Sequence, residues 1–187
     1  MEALRQEGFS DEFRKEEWIN GIYNFSPAAS PAHNKILNEL QFLFMLYLKE
    51  KDCTLFRENI DLVLADPDKI TAKEVSEAEK DTKVRPDLLV FCKSKPVYAG
   101  NNIVGIPDFI LEVLSPGSVQ WDKKVKKEKY LQAGVQEYWI VDFLGEEIIK
   151  YFNGIKTVHS LTETLKVDVL SNLSIDFSKL DHQPFQF

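Results

Sequence analysis

Two apolar runs, "PDFILEVLS" (107–115) and "QEYWIVDF" (136–143), bracket the stretch "SVQWDKKVKKEKYLQAG" (118–134). Both runs have the branched and aromatic composition of buried strands. The stretch between them is rich in helix formers and closes on Gly134, where a helix would end. A strand, a helix of about 15 residues and a second strand make a βαβ unit, with parallel strands and a right-handed crossover. The chain therefore reads as a mixed α/β domain. Its 187 residues fit one such domain, residues 1–187, with a sizeable core.

The remaining segments follow from local signals. Residues 1–15 form a polar lead-in, and "EEWINGIYNFSP" (16–27) reads as a β-hairpin turning on Asn20-Gly21. Ser30 is an N-cap and Pro31 a first helical position for a helix from Ala32 to Glu50. Ile36, Leu37, Leu40, Leu43, Phe44 and Tyr47 give that helix one broad apolar face. "CTLFRENIDLVLAD" (53–66) reads as one or two strands broken near Glu58-Asn59. Residues 67–83 are polar without a period and are expected to form an exposed loop. "RPDLLVFC" (85–92) is a further buried strand, and 146–177 a meander with a turn at Asn153-Gly154.

Composition narrows the function classes. The longest apolar-looking run, "ILNELQFLFMLYL" (36–48), contains Asn38, Glu39 and Gln41 and is too short and polar to cross a membrane. The charged start lacks the apolar core of a signal peptide, so the expected setting is the cytoplasm. Cys53 and Cys92 lie in no metal or redox motif and are expected to be buried thiols. A net charge of −7 and a pI of about 5.1 argue against a protein that coats nucleic acid through general electrostatics.

The two strands best suited to burial each carry an acid. Asp87 stands at the head of "RPDLLVFC", and Glu112 sits inside "FILEVL", 25 residues further on. A buried carboxylate costs several kcal/mol, roughly, unless it is paired or binds a metal. Neighbouring strands lie about 4.8 Å apart, so acids at matching heights can share one divalent ion. The competing structural role for Glu112 is a buried salt bridge to Arg85 or to a lysine of the next helix. For Asp87 the competing role is turn chemistry at a strand entrance. Asp108 is too far along the strand to join Glu112, by about 13 Å, and reads as a structural hydrogen-bonding acid.

The helix after Glu112 adds a cation. Asp122, Lys126 and Tyr130 are spaced i, i+4, i+8 and share one helical face. Of the lysines at 123, 124, 126, 127 and 129, Lys123 and Lys124 are expected to point at water. Lys126 is placed to offset phosphate charge or orient a water.

Two acids on neighbouring strands with a nearby lysine resemble the active site of the PD-(D/E)XK nucleases. One branch is matched closely over about residues 16–152, the bacterial Uma-type restriction endonuclease family. The match rests on "EEWINGIYNFSPAASPAHNKI", "VRPDLLVFC" and above all "IPDFILEVLSPGSVQWDKKVKKEKYLQAGVQEYWIVD". The resemblance implies a restriction-endonuclease-like core: a central mixed β-sheet flanked by helices, with extra N- and C-terminal strands. It implies Asp87 and Glu112 as metal ligands, helped by the backbone carbonyl of Val113, with Mg²⁺ or Mn²⁺ as cofactor. Lys126 would replace the superfamily's strand lysine, whose position is filled by Leu114. Lys127 is the fallback, and His33 and Tyr130 are further candidates for contact with phosphate.

Three readings follow: a metal-dependent endonuclease acting on DNA, a catalytically inactive nuclease-fold module that binds nucleic acid or protein, and an unrelated α/β enzyme with a buried ion pair. A homodimer is expected from the aromatic and branched residues of "EYWIVDF" and "VDVLSNLSIDF", since two sites would cut both strands of a duplex.

Overall fold

The computed structural model describes residues 15–26, 29–58, 60–71, 73–75, 83–115 and 117–180. The lead-in at 1–14 and most of the segment 72–82 lie outside them. β1 (Lys15–Ile19) and β2 (Ile22–Ser26) form the expected hairpin. Asn20 and Gly21 both take positive φ, 52° and 73°, which is what a two-residue turn between twisted strands requires. α1 spans Pro31–Leu48, with the Ser30 hydroxyl accepting the His33 N–H at 3.2 Å.

β3 (Thr54–Arg57) and β4 (Asp61–Val63) are separate strands, broken where the sequence suggested, and they enter different sheets. β5 (Lys83–Val84), β6 (Leu88–Phe91), β7 (Val97–Ala99) and β8 (Asn102–Val104) follow. β9 (Phe109–Val113) and β10 (Glu137–Asp142) are parallel neighbours, so the βαβ unit is present as expected. β11 (Glu147–Phe152) and β12 (Ile155–Ser160) turn on Asn153-Gly154, again both at positive φ. β13 (Thr164–Lys166) and β14 (Ser174–Asp176) close a small ribbon.

Among the described residues, two six-stranded sheets result, in the orders β2-β1-β5-β4-β8-β7 and β12-β11-β10-β9-β6-β3. The second is the core sheet. One of its faces, carrying Leu88, Val90, Phe109, Leu111 and Trp139, packs on the apolar face of α1 and on the C-terminal ribbon. The other, carrying Leu89, Phe91, Ile110, Tyr138 and Ile140, packs on the first sheet through Ile19, Leu62, Val84 and Ile103. Alternation along β9 therefore sends Glu112, in step with Ile110, toward the space between the sheets.

Several expectations need correction. Cys53 and Cys92 are joined in a disulfide rather than held as separate thiols. Continuing the β3–β6 ladder one step past Thr54↔Phe91 puts them opposite each other, a proximity invisible at a sequence separation of 39. The 67–83 segment is not all exposed loop, since Val75 packs with Val63 and Val104 and Lys83 starts a strand. Tyr138, Trp139, Ile140, Val141, Ile175 and Phe177 are buried within the single chain. They present no surface to a second copy. Among the described residues, no helix is long and apolar enough to cross a membrane.

Asp108 fulfils its structural expectation. Its Oδ2 accepts the backbone N–H groups of Cys92, Lys93 and Ser94 at 2.7, 2.9 and 3.3 Å, and the Ser94 hydroxyl at 3.1 Å. Asp108→Ala should therefore destabilise the fold by about 2–4 kcal/mol, because the turn's amides lose their acceptor. A lowered urea midpoint with an unchanged slope is the expected observation.

Candidate active site

β6 and β9 run antiparallel with Leu88 opposite Leu111, so the next step of the register places Asp87 opposite Glu112. The two acids therefore stand at one height on adjacent strands. The Asp87 N–H lies 3.3 Å from Glu112 Oε2, and Asp87 Oδ2 accepts the Val113 N–H at 2.8 Å. His33, in the first turn of α1, sets its Nε2 3.0 Å from the same Asp87 oxygen.

After β9 the chain turns through Ser115 and Ser118, whose backbone and hydroxyl groups bond to one another. Pro116 lies outside the described residues. Residues Trp121–Lys126 then form a wide π-helical turn in which the Lys127 N–H bonds to the Asp122 carbonyl. The regular helix α2 (Lys127–Ala133) continues to Gly134 at φ 95°. Asp122, Lys126 and Tyr130 all face inward and are buried, as their spacing suggested.

Lys126 is the centre of the cluster. Its ammonium is 2.8 Å from Glu112 Oε1, 2.8 Å from Glu17 Oε1 and 3.3 Å from Asp122 Oδ1. The Tyr130 hydroxyl donates to the same Glu112 oxygen at 2.8 Å. Burial pulls the lysine pKa down, but the carboxylates of Glu112, Glu17, Asp122 and Asp87 more than offset it and hold it well above the ordinary value. Lys126 is thus a fixed cation and a hydrogen-bond donor, not a base. Burial, reinforced by Glu112 and Glu17, pushes the Tyr130 phenol well up, so it too remains a donor.

Other candidates fall outside the cluster. Lys127 is half-buried and lies 3.8 Å from Glu128, so the fallback lysine is not brought to Glu112. Lys123, expected to point at water, instead pairs with Asp142 at 2.8 Å and Glu147 at 3.0 Å. Lys124 is exposed. Arg85 directs its guanidinium to Asp61 rather than Glu112. Glu17 joins the cluster without any expectation from the sequence. Its side chain is fully buried, yet it stands in "KEEWI", which reads as a charged lead into a hairpin.

The donor set bears on metal binding. Among the described residues, the buried carboxylates of Glu17, Asp87, Glu112 and Asp122 gather near Lys126 and His33. Carboxylate oxygens on neighbouring strands are ligands of the kind a divalent cation takes. Among the described residues, however, no three His, Cys, Asp or Glu side chains converge as a ready cage. The ammonium of Lys126 takes up the Glu112 oxygen instead.

The model of the family described as "Uma2: Putative restriction endonuclease" matches residues 2–178. The chain belongs to the Uma2 family. A crystal structure from Anabaena variabilis, titled "a putative nuclease belonging to DUF820", is similar to this Uma2 protein with a TM-score of 0.69 at 20% identity, covering 88% of each chain. At that identity the likeness establishes the fold, and the expected nuclease-like α/β core is borne out. A search of curated proteins finds no match for this Uma2 chain.

Proposed function

We propose that this protein is a divalent-metal-dependent endonuclease that hydrolyses phosphodiester bonds in DNA. One observation carries the reading: two buried acids face each other across neighbouring strands, with a buried lysine on one of them. Membership of a family described as "Putative restriction endonuclease" supports it. Asp87 and Glu112, with the Val113 carbonyl, are the groups that would hold Mg²⁺ or Mn²⁺. Such an ion, when bound, polarises a phosphate oxygen and lowers the pKa of a water.

The chain's own residues supply the rest. Lys126 carries a permanent positive charge to set against the charge that builds on the phosphate. Tyr130 holds the Glu112 carboxylate in place, and His33 holds that of Asp87.

Mg²⁺ titration followed by calorimetry, with plasmid nicking alongside, tests this in wild type and Glu112→Gln. Binding and nicking that both disappear in the variant are expected. The alternative, a nuclease-fold module that binds without cutting, is favoured by Leu114, which is buried where a strand lysine would stand. Under that alternative the protein binds DNA or a protein but leaves the plasmid intact with every metal tried. A homodimer would set one site on each DNA strand, although the buried residues of "EYWIVDF" and "VDVLSNLSIDF" offer it no interface, and solution molar mass checks it. The Cys53–Cys92 disulfide weighs against the cytoplasmic setting. Alkylation of the two cysteines in intact cells decides it.

A further inference from the structure

The nuclease reading leaves Glu17 without a role. This acid comes from β1, in the other sheet, yet is as deeply buried as Glu112. Its Oε1 takes the Lys126 ammonium and the Arg85 backbone N–H, each at 2.8 Å, and its Oε2 takes the Trp121 indole N–H at 2.9 Å. Three donors from two segments, the Trp121–Lys126 turn and the strand entrance at Arg85, thus fix the carboxylate. Lys126 lies equally close to Glu17 and Glu112, and Asp122 is one helical turn away at 3.3 Å.

Lys126 thus contacts three carboxylates, and Glu112 is only one of them. Glu112 is also the acid that the proposed metal site requires. Two cations cannot share its Oε1 without repulsion, and the metal can engage Glu112 fully only if Lys126 gives up that oxygen. With Glu17 and Asp122 already in contact, the ammonium can do so without leaving the pocket or losing its charge compensation.

We infer that Glu17 is a positioning residue that retains Lys126 beside the site when Glu112 turns to a divalent cation. Ammonium and metal ion then exchange on Glu112, and the lysine stays within reach of the phosphate. This rests on the metal site proposed above.

The test is a double-mutant cycle read by Mg²⁺ calorimetry on wild type, Glu17→Gln, Lys126→Met and the double variant. Glu17→Gln should bind Mg²⁺ about tenfold more weakly, since Lys126 then clings to Glu112, and Lys126→Met about tenfold more tightly. In the Lys126→Met background the Glu17 effect should vanish. A Glu17 penalty of equal size with and without Lys126 overturns the inference, because Glu17 would then act by its charge alone. So does a Glu17→Gln protein that binds as wild type does.

A folded wild type that binds no Mg²⁺ overturns the metal site itself, and the exchange with it. If Lys126→Met does not fold, the ammonium resonance of Lys126 in lysine-labelled protein gives the answer. It should shift with Mg²⁺ in wild type while staying protected from water, and lose that protection in Glu17→Gln. A resonance that Mg²⁺ leaves unmoved overturns the exchange.

Discussion

Lys126→Met should lower the unfolding free energy by about 3–5 kcal/mol, the range for removing one partner of a buried ion pair. The loss falls on Glu112, Glu17 and Asp122 together, all buried around the vacated position. Against a typical total of about 5–15 kcal/mol, the variant folds but melts early, which thermal or urea unfolding measures. A second signature lies in the pH dependence. The ammonium's pKa in the folded protein is well above its ordinary 10.5. Its contribution is therefore complete below pH 10.5 and drains away as pH rises through the folded value. Tyr130, raised well above its ordinary 10.0, works in the same direction, since the unfolded chain loses that proton first. Wild-type stability should thus fall above about pH 10, and less steeply in Lys126→Met. A variant as stable as wild type would mean that the cluster is not held by this ammonium.

Asp87→Asn should leave the fold nearly intact while reducing metal-dependent cleavage by on the order of 10³-fold. Asparagine keeps the shape and one carbonyl oxygen, so the Val113 N–H retains an acceptor at the position now occupied by Oδ2. What is removed is a charge, opposite Glu112, from the pair proposed to hold the ion. Plasmid cleavage at saturating Mg²⁺, beside a melting curve for the same preparation, separates this from general damage. Full activity in a correctly folded Asp87→Asn protein would move the active site elsewhere.

The parts of this fold that are long or carry turn chemistry were legible in the sequence. The βαβ unit stood out because its strands, at five and six residues, are mostly branched and aromatic residues on either side of a helix. Both Asn-Gly hairpins were readable because few dipeptides accept positive φ at two successive positions. Asp87 and Glu112 were visible as acids in apolar strands, and the antiparallel register brings them together as expected. The first sheet was largely invisible. β5, β7 and β8 span only two or three residues, too few to show alternation. Glu17 was hidden for a different reason. Its partners Arg85, Trp121 and Lys126 lie 68 to 109 residues away, and nothing local distinguishes it from Glu16. The one available signal was its inward phase with Ile19, once the Asn-Gly turn fixes the hairpin register.

The wide turn at Trp121–Lys126 holds about one residue more than an ordinary helical turn. Order along the chain and position in space consequently fall out of step at Lys126. A relative whose helix winds regularly would carry the equivalent ammonium one residue nearer its strand, level with Val125 in an ungapped alignment. That column would read as a lysine lost when only the winding had changed. Relatives that keep both strand acids but show no lysine in this column should be checked for a one-residue slip before they are counted as inactive.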